Sequence, residues 1–357
     1  MTQKLIAVFP GQGSQHTGMT KELYETFKQA RETFEEASDA CSVNLKKLCF
    51  DGPDSDLNLT ENTQPCLLTA SVAAFRVAVA ETGFAPGAVA GHSLGEYSAL
   101  VAAGVLPLAA TVRWVKARGR AMQEAVPAGQ GTMAAVLGLA DELMDPLCEA
   151  AGKAALEKRA KGENSEITVE ALVQPANFNA PGQVVIAGST DAVSEAVFLI
   201  KNDPRFKGGK AIPLTVSAPF HCALMRPARD RMAELFALAK ELERPKHLTI
   251  PYFPNRTARP TRESGLVFEF LVEQVDHPVL WRQSVQAFSD LGLRGAVEFG
   301  PGKVLTGLIK RTLGQTKPGA PTSEAFGLMN VSDTAGIRGL EEAKKTPYEE
   351  THVTANK

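Results

Sequence analysis

Ala88-Val89-Ala90-Gly91-His92-Ser93-Leu94-Gly95-Glu96-Tyr97-Ser98-Ala99-Leu100 is the stretch on which the reading of this chain turns. Ala88–Ala90 makes a short buried strand ending at Gly91, and Leu94–Ala103 has the character of a helix ended by Gly104. Between them, Gly91-His92-Ser93-Leu94-Gly95 fits the pattern G-x-S-x-G. That pattern sets a serine on a sharp strand-to-helix turn, at the carboxyl edge of a sheet. The small residues let the chain turn, and the start of the following helix offers backbone N–H groups to a developing oxyanion. A plain Gly-Ser turn would account for the five residues alone; the strand before and the helix after favour a nucleophile.

Working outward, strand and helix alternate. Leu5–Phe9 reads as a strand stopped by Pro10 and Gly11, and helices are expected over 21–40, 64–82 and 108–126. From residue 132 the texture changes. Strands at Thr132–Leu139, Val184–Ala187 and Lys210–Val216 enclose helices at Asp141–Ala160 and Asp191–Lys201, which suggests two β-α-β units in a small ferredoxin-like insert. Helices near 225–242, 284–291 and 304–313, with strands near 248–253 and 296–299, resume the larger pattern. The fold class expected is α/β with a parallel sheet. The division expected is a discontinuous large subdomain (1–127 and 207–343), a small subdomain (128–206) and a polar tail (344–357).

Composition narrows the function. The 357 residues are 44% hydrophobic, and 38 Lys+Arg against 40 Asp+Glu give a net charge of −2. Bulk disorder is excluded, and the strong basic excess of a nucleic-acid binder is missing. The first residues lack the long apolar core and cleavage site of a signal peptide, and no run of about 18 apolar residues predicts a membrane span. The five cysteines are scattered, with no C-x-x-C pair, as expected of a reduced cytoplasmic protein. Gly129-x-Gly131-x-x-Ala134 precedes a strand instead of following one, so it is no dinucleotide fingerprint. No metal or cofactor is expected.

A serine nucleophile needs a base. Of the six histidines, His92 adjoins Ser93 and should point elsewhere, whereas His221 ends a predicted strand before a helix. Catalytic side chains favour that position in open α/β sheets. On this reasoning His221 leads His247 and His277 by a modest margin.

Six motifs then stand in order: Phe9–Gln15 (FPGQGSQ), Gly91–Glu96 (GHSLGE), Arg118 with Met122–Pro127 (MQEAVP), Asn177–Gln183 (NFNAPGQ), Ser217–Met225 (SAPFHCALM) and Gly300–Leu305 (GPGKVL). Together they resemble the malonyl-CoA:acyl carrier protein transacylases of fatty acid synthesis, over about residues 4–343. The resemblance implies a hydrolase-like α/β core with a ferredoxin-like insert. It implies that Ser93 carries the malonyl group, with His221 as base and no carboxylate completing a triad. It implies an oxyanion hole from the backbone N–H groups of Gln12 and Leu94, and a backbone carbonyl at Leu280, in Asp276–Trp281, orienting the histidine. Arg118 would bind the malonyl carboxylate, which an acetyl group lacks; a guanidinium suits that by its fork of donors. By resemblance to polyketide acyltransferase domains, Leu94 and Phe220 go with malonyl over methylmalonyl. Gln64, Asn177 and Asn179 are candidate cleft residues. The implied partners are malonyl-CoA and an acidic acyl carrier protein, with Lys207, Lys210, Lys303 and Lys310 as candidates for steering it; a monomer is expected. The competing readings are a polyketide-pathway acyltransferase or acyl-hydrolase of the same family, a serine thioesterase or esterase, and a non-catalytic carrier-docking module.

Overall fold

The computed structural model describes residues 4–314 and 326–345. Among these residues, nine strands form two sheets. β1 (Leu5–Phe9), β2 (Ala88–Gly91), β7 (Tyr252–Phe253), β8 (Gly295–Phe299) and β9 (Gly327–Val331) make a parallel sheet in the order β7-β2-β1-β8-β9. β1 lies at its centre, with Ile6 opposite both Ala88 and Ala296. Its residues alternate between two cores: Ala7 and Phe9 pack on one face, Ile6 and Val8 on the other. A strand covered on both faces needs no polar position, hence the unbroken apolar run.

β3 (Gly131–Leu137), β4 (Val173–Ala180), β5 (Gln183–Ser189) and β6 (Lys210–Pro213) form an antiparallel sheet in the order β4-β5-β3-β6. With helices Met144–Ala160 and Thr190–Asn202 this is the β-α-β-β-α-β pattern expected of a ferredoxin-like unit. Val136, Val184 and Ile186 face those helices, while Met133, Val185 and Ala187 join the main core. The small sheet is therefore packed onto the larger body through one face.

Several boundaries differ from the sequence reading. The helix expected over 21–40 breaks at Phe27, whose backbone is extended, into Lys21–Thr26 and Lys28–Cys41. The strand expected near 248–253 shrinks to Tyr252–Phe253, and the one from Lys210 stops at Pro213. The helix expected over 284–291 starts earlier, at Trp281, and ends at Ala287. β4, β9 and helices Val267–Glu273 and Thr334–Lys345 were not expected. Of the expected tail, 344–345 complete the last of these helices, and 346–357 lie outside the described residues. Among the described residues one helix, Thr60–Thr82, is long and apolar enough to cross a membrane by length and composition, although no span was read from the sequence; 83% of its most apolar window is buried inside the protein. All five cysteines are buried and free.

Candidate active site

Adjacent strands of the parallel sheet deliver the site from their carboxyl ends: β1 leads into Gln12, β2 into Ser93 and β7 into Asn255. Ser93 takes φ 52° and ψ −108°, a conformation that costs a side-chain-bearing residue about 1–3 kcal/mol. The flanking glycines make that turn possible. A Cβ on Gly91 would lie 1.9 Å from the Gly95 carbonyl, and one on Gly95 would lie 2.0 Å from the Phe9 oxygen. A Cβ on Gly11 would come within 2.5 Å of the His92 oxygen, so the loop after β1 presses against the turn.

The Ser93 hydroxyl donates to His221 Nε2 at 2.7 Å. His221 is buried, at a positive φ of 61°, and its Nδ1–H donates to the Gln274 carbonyl at 2.8 Å. That bond fixes the proton on Nδ1 and leaves Nε2 as the acceptor. Here the structure corrects the sequence reading: the orienting carbonyl belongs to Gln274, not Leu280. The Leu280 carbonyl accepts from the Ser284 amide at 3.0 Å, at the start of helix Trp281–Ala287. Burial, and then the Arg118 cation, lower the His221 pKa to about 3, so the ring is neutral at physiological pH.

Arg118 lies inside the protein, 1% exposed. Its Nη2 donates to the Ser93 hydroxyl at 3.1 Å and to Gln274 Oε1 at 2.8 Å, and Nη1 donates to Gln64 Oε1 at 2.8 Å. All three acceptors are neutral. Among the described residues no carboxylate pairs with this guanidinium, and its Nε has no partner. Burial pulls its pKa below the ordinary arginine value, opposed by Tyr97 and Glu96.

Other expected residues gather nearby. Leu94 opens the helix that follows Ser93, and Phe220 is buried next to His221. Among the described residues, neither the Gln12 nor the Leu94 amide donates to a protein acceptor. The Gln12 side chain reaches Thr60 Oγ1 at 3.4 Å, which meets Ser217 Oγ at 3.0 Å. Asn179 Oδ1 lies 2.8 Å from His92 Nε2, and Asn177 bridges in parallel to Val279. Thus β4 of the small sheet touches both the serine turn and the segment after Gln274. Beside His221 lies a cleft of about 470 Å³ lined by Gln174, Phe178, Arg226, Arg229 and His277 among others. Lys207, Lys210, Lys303 and Lys310 are exposed, and none lines that cleft.

Three positions in contact with the site residues escaped the sequence reading. Gln274 carries the orienting carbonyl and touches Arg118; Asn255 accepts from the Ser93 amide at 2.6 Å and donates to the Gly91 carbonyl at 2.6 Å; Glu96 accepts from both. Glu96 sits inside a quoted motif, but nothing in its spacing tells a buried carboxyl from a solvated one. Among the described residues no cluster of three or more His, Cys, Asp or Glu is arranged to hold a metal ion.

The arrangement offers a neutral base on a serine hydroxyl, amides at a helix start and a buried cation, a set fit for acyl transfer. Comparison with known proteins agrees. Residues 6–355 match the acyl transferase domain family. The malonyl CoA-acyl carrier protein transacylase of Escherichia coli (strain K12) is 46% identical over 313 residues, 87% of this chain and 93% of that protein. A solved acyl carrier protein S-malonyltransferase from Vibrio cholerae superposes with a TM-score of 0.82 at 41% identity, covering 94% of this chain and 99% of that one. A malonyl-transacylase solved in complex with its type II polyketide synthase acyl-carrier protein gives a TM-score of 0.82 at 39% identity, covering 95% and 99%. By fold, site and sequence, the chain belongs to the acyl transferase domain family.

Proposed function

We propose that this enzyme moves a malonyl group from malonyl-CoA to the phosphopantetheine thiol of an acyl carrier protein, through a malonyl ester on Ser93. One observation carries the choice of acyl group: a guanidinium 1% exposed, 3.1 Å from the nucleophile, whose acceptors are all neutral. A buried cation without a counter-ion is costly, and a substrate carboxylate within its reach supplies one. Acetyl leaves that cost unrelieved, so the same residue discriminates.

In the first half-reaction the Ser93 proton passes to His221 Nε2 as Oγ attacks the thioester carbon. The carbonyl oxygen takes the negative charge, facing the Gln12 and Leu94 amides. The C–S bond then breaks, and His221 returns its proton to the departing coenzyme A sulfur. The carrier thiol next gives its proton to His221, attacks the Ser93 ester, and expels Oγ, which recovers the proton. Gln274 keeps the imidazole aimed throughout. The malonyl carboxylate, drawn to Arg118, offsets the charge that, after burial, holds the His221 pKa down, so binding the correct acyl group strengthens the base. Phe220, beside His221, is suited to fill the space an α-methyl would need. The large body and the small one, the latter running on through β6 to Pro213 instead of ending at 206, would meet around the substrate arm. We assign the enzyme to the cytoplasm, where its five thiols would stay reduced.

The test is intact mass after exposure to malonyl-, methylmalonyl- and acetyl-CoA. A malonyl adduct lost in Ser93→Ala is expected; equal loading of acetyl-CoA would refute the carboxylate reading. The type II polyketide partner of one solved relative favours a second reading, a polyketide carrier as acceptor. Transfer rates to fatty-acid and polyketide carriers, side by side, separate the two.

A further inference from the structure

Glu96 lies three residues after Ser93, in the first turn of the helix that Ser93 leads into, and is wholly buried. Its Oε2 accepts from the Asn255 amide at 3.0 Å and from Gln274 Nε2 at 2.7 Å. Gln274, also wholly buried, serves two groups at once. Its main-chain carbonyl accepts from His221, and its side-chain oxygen accepts from Arg118. The other end of that side chain faces only acceptors: Glu96 Oε2, the Ser93 carbonyl at 2.9 Å and Asn255 Oδ1 at 3.3 Å. Turned over, the amide would set its oxygen against three oxygens and its NH2 against a guanidinium. The contact with Glu96 is the shortest of the three.

We infer that Glu96 is a positioning residue, holding Gln274 so that its carbonyl aims the His221 ring at Ser93 while its side-chain oxygen aims Arg118 at the acyl group. The Arg118 half rests on the malonyl-transfer reading; the His221 half does not. Burial raises the Glu96 pKa to about 8, against the Asn255 and Gln274 bonds and the Arg118 charge, so at neutral pH the carboxyl is largely protonated. Oε2 receives both N–H groups, and Oε1, with no partner among the described residues, is the atom free to carry the proton. A glutamine reproduces that pattern, with its oxygen at Oε2 and its NH2 at Oε1. Position therefore requires an acceptor here, not a charge.

The experiment compares Glu96→Gln and Glu96→Met in the full chain by thermal unfolding, by the rate at which a fluorophosphonate labels Ser93, and by the ratio of malonyl to acetyl loading. Of the two buried hydrogen bonds that Glu96→Met removes, loss of the one to Gln274 predicts labelling about tenfold slower and a ratio about tenfold lower. Glu96→Gln stays within about threefold of wild type in both. Because Glu96 acts through Gln274, adding Glu96→Met to Gln274→Leu should slow labelling by less than about threefold more. A folded Glu96→Met with wild-type labelling and ratio overturns the inference. If Glu96→Met does not fold, Glu96→Gln decides: wild-type behaviour supports the inference, and a tenfold fall overturns it. If wild type takes no malonyl group yet Glu96→Met still labels slowly, the malonyl reading fails and the positioning of His221 stands.

Discussion

At the scale of single residues, Arg118 is asked to do two separable things. On the proposed reading it selects the acyl group, and its charge, after burial, depresses the His221 pKa. Arg118→Ala should therefore cut malonyl loading by at least about a hundredfold while acetyl loading rises relative to it, since a charged hydrogen bond in a buried site is lost. An unchanged ratio would remove Arg118 from recognition. The pH dependence follows in sign. His221 accepts a proton only when neutral, so activity is lost as pH falls through its pKa. Removing the cation raises that pKa, and the acid limb of fluorophosphonate labelling should move to higher pH in Arg118→Ala. A fluorophosphonate carries no carboxylate, so recognition does not confound that reading. Ser93, His221 and Arg118 were legible in the sequence because each needs its own side chain inside a motif. The orienting carbonyl was not. Every residue has one, so Leu280 and Gln274 differ in nothing the sequence displays, and only the fold sets Gln274 against Nδ1.

At the scale of the element, the serine turn is a steric construction. Gly95 is closed to any Cβ because the β1 backbone passes 2.0 Å from where one would sit. Gly95→Ala should destabilise the protein by roughly 3 kcal/mol or more and slow Ser93 labelling, as measured by urea unfolding and the same probe; a loss under 1 kcal/mol would show that the turn can relax. The turn was readable because glycine at both ends is a strong statement about space. β4 was not, since Val173-Gln174-Pro175-Ala176-Asn177-Phe178-Asn179-Ala180 carries a proline, two asparagines and no clean alternation. Its pairing with β5 shifts register at Pro175/Asn177 and again at Phe178/Ala180. Those irregularities release Asn177 toward Val279 and Asn179 toward His92. The residues that spoil the strand's signature are the ones that make its contacts to the site.

At the scale of the whole molecule, one cleft receives two substrates in turn. Since both acyl donor and carrier thiol must reach Ser93 beside His221, steady-state rates should give parallel double-reciprocal lines, with coenzyme A released in a burst before carrier is added. Intersecting lines, or coenzyme A release only when carrier is present, would exclude the covalent relay. The alternating strands and helices announced a layered α/β molecule, and the change of texture near residue 132 announced a second sheet. Their juxtaposition stayed hidden because contacts such as Phe178 to Val279 join residues about a hundred positions apart. The central place of β1 has a further consequence, for biosynthesis. Its neighbours arrive late: Ala88 pairs with Ile6 from one side, and the other side waits for Ala296. β1, made before both of its partners, is thus among the last strands to be completed, and through most of synthesis it is an apolar ribbon with an open edge. A nascent chain of this design depends on whatever shelters that edge until residues near 300 emerge.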